Sequence, residues 1–287
     1  MSITSNVTDE FVTVNKINLH VSTFGDKSKP IILFLHGFPE FWYSWRYQID
    51  YFVQQGYYVI VPDQRGYNLS DKPKGKKHYK TDVLTQDIVE LIKNYTDKPV
   101  NLVGHDWGGV IAWWVASHHP NIVNRLIILN SPHPSTFRYF LKTDQEQKNN
   151  SKYMVYFQLP FLPERKLKKE NFKNLKRSLT KSAIPGTFTE DDLKQYSKSW
   201  EQKGCITSML NWYRSMRATK MINKEVICPV LIIWGKEDKF LKVDMAEASL
   251  KYCNNGKAEL VPEATHWVQH EKPEIVNTLI FQFLVNN

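Results

Sequence analysis

The sequence predicts an α/β protein with a mostly parallel sheet, helices on both faces of the sheet and one inserted helical segment. Continuous apolar runs at residues 30–35, 57–62, 123–130 and 229–235 are typical of strands that are buried on both faces. Helical stretches separate most of these runs, and alternation of this kind implies a parallel sheet with right-handed crossovers. The alternation stops between residues 135 and 224, where aromatic side chains recur at helical spacing.

The other elements follow from local patterns. Residues 10–14 and 17–23 alternate apolar and polar side chains, which predicts an antiparallel hairpin. Short strands are expected at residues 100–103 and 258–262. Amphipathic spacing predicts helices at residues 44–55, 81–95, 109–116, 243–253 and 273–285.

These elements divide the chain into two parts. Residues 1–134 and 225–287 form the predicted α/β core, and residues 135–224 form a helical lid inserted between two of its strands. A parallel sheet binds its ligand at the carboxyl ends of the strands, so we expect the site beneath the lid.

Composition excludes several classes of protein. The formal net charge is +9, and residues 135–224 hold 19 of the cationic side chains against 8 anionic ones. Most of this charge is interpreted as solvated helix faces, although blocks such as residues 165–169 could attract an anionic substrate or a membrane surface. No nucleic-acid-binding motif is present, and no apolar run is long enough for a transmembrane segment.

The cysteines and the N-terminus indicate a cytoplasmic protein. Cys205, Cys228 and Cys253 are odd in number and lack the spacing of metal ligands, so we expect free thiols in a reducing compartment and no metal or cofactor. The first residues lack the basic and long apolar regions of a secretory signal. We expect a monomer or a homodimer.

The strongest local motif surrounds Asp106. A short apolar strand ends at Gly104, and an apolar helix starts after Gly108, so Asp106 occupies the strand–turn–helix position of a nucleophile elbow. The flanking glycines leave room for a strained turn that exposes the side chain above the sheet. An ordinary glycine-rich turn is the alternative interpretation.

Two partners follow in the expected order. Asp238 comes directly after the strand at 229–235, and His266 comes after the final strand, so the chain order is nucleophile, acid, histidine. Glu237 and His270 are the alternatives at these two positions. The three residues together, each at a strand end, predict a catalytic triad.

An aspartate nucleophile indicates a particular chemistry. A carboxylate needs no base to attack an sp3 carbon, and the product is an alkyl-enzyme ester. His266, oriented by Asp238, would then activate the water that hydrolyses the ester. The backbone N–H groups of Phe38 and Trp107 are the expected donors to the oxyanion.

The combined motifs closely resemble those of soluble-type epoxide hydrolases of the α/β-hydrolase superfamily. The resemblance implies that Tyr153 and Tyr213 protonate the epoxide oxygen, with Tyr156 as the alternative to Tyr153. It also implies an apolar pocket formed by Phe38, Trp107, Tyr153, Tyr213 and Trp267, and conversion of a small apolar epoxide to a vicinal diol. The motifs that carry it are His36-Gly-Phe-Pro-Glu, Asp63-Gln-Arg-Gly-Tyr, Gly104-His-Asp-Trp-Gly-Gly, Tyr153-x-x-Tyr-Phe-Gln, Asn211-Trp-Tyr-Arg and Gly235-x-x-Asp with His266-Trp.

Other functions remain open at this point. A haloalkane dehalogenase would share the aspartate nucleophile, but that family usually has a polar amide where this chain has Phe38. A hydrolase-fold protein that binds ligands without turnover is the alternative of a different class. Loss of a triad member would indicate such a protein, and all three members are present in this chain. An epoxy fatty acid is one candidate substrate, with the lid lysines Lys166, Lys168 and Lys169 as the side chains that would favour an anion.

Overall fold

The computed structural model describes residues 7–216, 218, 221 and 224–286. The first six residues of the predicted core lie outside the described residues, as do five residues close to the predicted lid boundary at 224.

The described residues form one sheet of eight strands in the order β1-β2-β4-β3-β5-β6-β7-β8. The pairs β1–β2 and β2–β4 are antiparallel, and all other neighbours are parallel. The mostly parallel sheet and the N-terminal hairpin are therefore confirmed. The strands are β1 (Val7–Val14), β2 (Ile17–Phe24), β3 (Ile31–Leu35), β4 (Tyr58–Pro62), β5 (Val100–His105), β6 (Val123–Leu129), β7 (Val230–Gly235) and β8 (Gly256–Val261).

Helices cover the sheet and fill the interval between β6 and β7. The core helices are α1 (Arg46–Gln54), α2 (Thr81–Tyr95), α3 (Trp107–His118), α10 (Asp244–Leu250), α11 (Val268–Glu271) and α12 (Pro273–Val285). The helices between β6 and β7 are α4 (Pro134–Thr143), α5 (Gln145–Asn150), α6 (Lys152–Tyr156), α7 (Leu162–Ser182), α8 (Glu190–Glu201) and α9 (Cys205–Ser215). The backbone of α7 is not helical from Lys169 to Phe172, so α7 consists of two helical parts joined by a kink.

Alternate side chains of the central strands enter different hydrophobic clusters. In β3, Ile32 and Phe34 pack with α1 and α12, whereas Leu33 and Leu35 belong to the cluster that contains α2 and α3. Because successive residues of a strand point to opposite faces, a continuous apolar run buries both faces of the sheet. This confirms helices on both faces.

The predicted helix at 243–253 is too long. Helix α10 ends at Leu250, and Cys253 instead forms a parallel bridge with Val226. The backbone N–H of Val226 donates to Tyr252 and that of Asn254 donates to Val226. The backbone N–H and C=O groups of this segment form their hydrogen bonds with Val226 instead of within a helix, so the helix ends before them.

Two tryptophans of the helical segment between β6 and β7, the predicted lid, and one tryptophan of the predicted core donate hydrogen bonds across the contact between these two parts. We call this contact the lid–core seam. The indole of Trp200 donates to the carbonyl of Pro39 at 2.7 Å, and that of Trp212 donates to the carbonyl of Arg65 at 3.0 Å. From the core, Trp267 donates to Ser182 Oγ at 2.8 Å. The lid is thus attached to the core by buried polar contacts as well as by apolar packing.

None of the helices in the described part of the chain combines the length and the apolar character that a membrane crossing requires. All three cysteines are free thiols.

Candidate active site

Asp106 lies between β5 and α3 in a backbone conformation that few residues adopt. Its φ of 50° and ψ of −119° store strain that the surrounding packing must hold. A Cβ on Gly104 would lie 2.5 Å from the carbonyl oxygen of Gly108, and one on Gly108 would collide with the backbone of Leu35. Glycine is therefore required on both sides of Asp106, as the elbow motif predicts.

The Asp106 carboxylate contacts one backbone donor and one imidazole. The N–H of Phe38 donates to Oδ1 at 2.8 Å, and His266 Nε2 lies 3.6 Å from Oδ2. Burial opposes ionisation, but His266 and the Phe38 N–H outweigh it and keep the pKa of Asp106 below its ordinary value. Asp106 is therefore a carboxylate at neutral pH. Trp107, the first residue of α3, follows directly, and its role as the second donor stays a prediction.

Asp238 is held by several donors. Its Oδ2 lies 2.7 Å from His266 Nδ1 and accepts a bond from the Asn130 amide at 2.8 Å. Its Oδ1 accepts the backbone N–H groups of Phe240 and Leu241 at 2.7 and 3.1 Å. The carboxylate is fully buried, so it is fixed in place and orients the imidazole.

His266 therefore lies between two carboxylates. Burial alone would lower the pKa of the imidazole, but Asp238 and Asp106 together raise it to about 10. The two neighbouring carboxyl groups therefore favour the protonated form of His266 in the free protein.

The two alternative residues, Glu237 and His270, do not lie next to the other members of the predicted triad. Glu237 is exposed to solvent, and His270 Nε2 lies 2.7 Å from Glu40 Oε1 instead of near Asp106. The geometry brings together Asp106, Asp238 and His266.

A buried cluster under the triad was not assigned any role from the sequence. His105 Nε2 lies 2.8 Å from the backbone carbonyl of His266, and His105 Nδ1 lies 3.2 Å from Glu40 Oε2. Glu40 also accepts a bond from the hydroxyl of Tyr196, a lid residue, at 2.8 Å. Burial raises the pKa of Glu40, but His270 and His105 more than compensate and lower it. Glu40 ends the motif His36-Gly-Phe-Pro-Glu, and His105 lies in the motif Gly104-His-Asp-Trp-Gly-Gly. Membership in these motifs is the only sequence signal that could have indicated them.

An apolar cavity of about 780 Å³ opens above Asp106. Phe38, Trp107, Tyr153, Tyr213 and Trp267, the predicted substrate-contacting residues, all line it together with Asp106 and His266. Tyr156 does not line it, and its ring instead lies under the ammonium of Lys166 at 5.1 Å. The geometry thus favours Tyr153 over Tyr156.

Ring contacts hold the two lid tyrosines in the cavity wall. The Tyr213 ring lies edge-on to Phe38 at 5.3 Å and to Trp107 at 5.2 Å, and 6.0 Å from Tyr153. Burial, and secondarily the Asp106 carboxylate, raises the pKa of the Tyr153 phenol. Burial also raises the pKa of Tyr213 well above its ordinary value. Both hydroxyls remain protonated at neutral pH.

The cations that line the cavity differ from those expected. Lys166, Lys168 and Lys169 are exposed and do not line it. Arg138 and Lys142, one turn apart on α4, do. Within the described ranges, no group of three or more His, Cys, Asp or Glu side chains is placed to hold a metal ion.

Comparisons with known proteins show which proteins the chain resembles. Residues 30–273 match the family model of the alpha/beta hydrolase fold. The chain is 45% identical over 280 residues to the AB hydrolase superfamily protein YfhM of Bacillus subtilis, covering 96% of this chain and 98% of that protein. It is 37% identical to human epoxide hydrolase 4, covering 93% of this chain and 76% of that one. The crystal structure of a Bacillus megaterium epoxide hydrolase with an inhibitor superposes with a TM-score of 0.88, at 36% identity over 96% of this chain and 99% of that one.

Proposed function

The chain belongs to the epoxide-hydrolase family of the α/β-hydrolase fold, and from that premise we propose that it converts epoxides to vicinal diols through an ester on Asp106. The observation that carries the proposal is that an ionised elbow aspartate and two protonated tyrosines line the same apolar cavity. This arrangement suits a substrate that needs a nucleophile on one side and a proton donor on the other.

In the first step, an oxygen of Asp106 attacks one epoxide carbon. A bond forms between that oxygen and the carbon, and the bond from the carbon to the epoxide oxygen breaks. The Phe38 N–H fixes the carboxylate during the attack, since it donates to Oδ1. The cavity is lined mostly by apolar side chains, and apolar surroundings strengthen the electrostatic contacts between the groups inside it.

The leaving alkoxide takes a proton from Tyr153 or Tyr213. Both rings line the cavity together with Asp106, and both phenols remain protonated. Solvent returns the proton to the phenolate before the next cycle. Because a halide leaving group would need no such proton, the tyrosine pair favours epoxides over haloalkanes.

Formation of the ester changes the charge around His266. Asp106 becomes a neutral ester, so one of the two carboxylates that raise the pKa of the imidazole is lost. The imidazole then releases its proton more readily and becomes a base. Asp238 still orients the ring, so the charge of the nucleophile itself controls when His266 acts.

In the second step, His266 takes a proton from water, and the resulting hydroxide attacks the carbonyl carbon of the Asp106 ester. The oxyanion that forms accepts the N–H of Phe38, with Trp107 as the second donor. The bond between the carbonyl carbon and the alkyl oxygen breaks, and His266 returns the proton to the leaving alkoxide. The diol leaves, and one oxygen of Asp106 now comes from water. The hydroxyl proton that remains on the Asp106 carboxyl passes to His266, which restores the carboxylate and the imidazolium.

The cavity supports apolar epoxides, including epoxy fatty acids. Its wall is largely aromatic and aliphatic, and Arg138 and Lys142 supply cationic groups at one part of it. Both of these side chains are exposed, so a carboxylate placed beside them would stay hydrated while the acyl chain lies in the cavity. We place this chemistry in the cytoplasm, where the three free thiols would stay reduced.

The test is a single-turnover reaction in 18O-labelled water, with protein in excess over a small aryl epoxide. The diol of the first turnover should carry no label, because its new oxygen comes from Asp106. A haloalkane offered in parallel is the matched control. Label in the first diol would show direct attack by water, and halide release with an intact epoxide would assign a dehalogenase activity instead.

A further inference from the structure

Four apolar side chains are exposed together at one end of the lid. We call residues 155–162 the lid apex. Val155 is 67% exposed, Leu159 43%, Phe161 83% and Leu162 56%. Single exposed apolar residues are common on soluble proteins, but a contiguous group usually marks an interaction site.

One side chain, Arg214, holds the backbone of the lid apex in place through hydrogen bonds. Arg214 is the last residue of the Asn211-Trp-Tyr-Arg motif. Its guanidinium donates to the carbonyls of Phe157 and Leu159 at 2.9 and 2.6 Å. It also pairs with Glu164 at 2.6 Å. Phe161 has a φ of 59°, a conformation that costs free energy in a residue other than glycine. The exposed side chains are therefore displayed on an ordered loop.

Positive charge lies directly beside the apex. Residues 152–182 contain nine Lys and Arg against two Glu, Glu164 and Glu170. Glu164 forms an ion pair with Arg214, and Glu170 forms ion pairs with Lys169 and Lys173. The exposed side chains of Arg165, Lys166 and Lys168 have no ion-pair partner in the described part of the chain. At a rise of about 1.5 Å per residue, these three lie within about 10 Å of Leu162 along α7.

We propose that the lid apex and the adjoining cations of α7 dock the protein on an anionic lipid bilayer. Exposed Phe and Leu side chains bordered by Lys and Arg are the combination that lies in the interface of a charged membrane. A second copy of this chain fits the surface poorly, because a two-fold interface would place its cations against the same cations.

This orientation would also place the cavity near the bilayer. In the first helical part of α7, before the kink at Lys169, Leu167 lines the cavity, whereas Arg165, Lys166 and Lys168 face solvent. One helix therefore separates the docking surface from the cavity. The binding itself does not depend on the proposed reaction.

The experiment is co-sedimentation with phosphatidylglycerol-containing vesicles and with phosphatidylcholine vesicles, without substrate. The wild type should bind the anionic vesicles and lose affinity as salt is added. Arg165→Gln/Lys166→Gln/Lys168→Gln should weaken binding by roughly 100-fold, since each cation near the surface contributes separately. Phe161→Ser should weaken it by roughly tenfold through loss of apolar insertion.

The matched control is Lys27→Gln/Lys29→Gln/Lys98→Gln, which removes the same charge next to the amino ends of β3 and β5, opposite the site. It should bind as the wild type does. All variants should retain turnover of a water-soluble epoxide, which shows that they fold. The proposal is overturned if the wild type ignores anionic vesicles, if the control loses as much affinity as the α7 variant, if Phe161→Ser binds unchanged, or if light scattering shows that the apex instead joins two copies of the chain.

Discussion

The core and the lid hold their cavity residues in different ways. In the core, Asp238 accepts bonds from two backbone N–H groups and one amide, and Asp106 sits on a strained turn fitted between glycines. In the lid, Tyr153 and Tyr213 are placed by edge-on ring packing. A network of hydrogen-bonded charges depends on every partner, whereas packed apolar rings tolerate substitutions that keep the total volume. We infer that the core determines the chemistry and the lid determines which substrate receives it.

The largest expected effect is in the core. Asp106→Ala should reduce turnover by roughly 10⁴-fold or more, since it removes the nucleophile. The measurement is diol formation at saturating epoxide. Glu237→Gln, which neutralises an exposed carboxylate in the same region, is the control and should turn over normally. Activity retained in Asp106→Ala would remove Asp106 from the mechanism.

His266→Gln separates the two steps. The first step needs no base, so the variant should alkylate Asp106 once and then stop. Intact-protein mass spectrometry should show an adduct of one substrate mass, which Asp106→Ala cannot form. If His266→Gln forms no adduct and turns over slowly, the histidine acts before the ester exists.

The corresponding test of the lid is Tyr153→Phe with Tyr213→Phe. The double variant should slow ester formation by roughly 10²–10⁴-fold, the usual contribution of a proton donor. Rapid-quench measurement of the adduct in a His266→Gln background isolates this step. Tyr156→Phe serves as the comparison and should leave the rate unchanged, because Tyr156 does not line the cavity. An equal loss in Tyr156→Phe would reassign the donor.

A smaller effect is expected where the lid faces solvent. Arg138→Gln with Lys142→Gln should lower the preference for an epoxy acid over its methyl ester by about fivefold or less, as for an exposed ion pair. The quantity to compare is the ratio of the two kcat/KM values. Lys166→Gln/Lys168→Gln/Lys169→Gln should leave that ratio unchanged. If instead the ratio falls in the triple lysine variant and stays unchanged in the Arg138/Lys142 variant, the three lysines are the side chains that favour an anionic substrate.

The smallest effect concerns stability. The pKa of His266 is raised from 6.5 to about 10 in the folded protein, so its ion pairs stabilise the fold fully below pH 6.5 and less as the pH rises through 10. The free energy of unfolding of the wild type should exceed that of His266→Gln at neutral pH, and this difference should shrink towards pH 10. Urea titrations across this range measure it. A difference that does not vary with pH would contradict the raised pKa.

The same division explains what could be predicted from the sequence. Buried strands appear as apolar runs, and Asp106 and Asp238 each follow one. His266 follows β8, which is mostly exposed or half-buried, so its position could be predicted only from the order of the three residues along the chain. Contacts such as Glu40 with His270 join residues 230 positions apart, and no local pattern encodes such a pairing.

The lid was harder to predict in detail. Its lysines were expected to favour an anionic substrate, but which side of a helix faces the cavity depends on tertiary packing, and Arg138 and Lys142 hold that position. The predicted helix to residue 253 was wrong for a related reason, since Cys253 pairs with Val226 across a long sequence separation.

The indoles of the lid–core seam have an optical consequence. Trp200, Trp212 and Trp267 each donate a hydrogen bond that exists only while the lid is seated, and all three rings are almost completely buried. Indole emission moves to longer wavelength when the ring meets water. Opening of the lid would therefore shift the intrinsic fluorescence to the red, so the protein contains its own reporter of this motion.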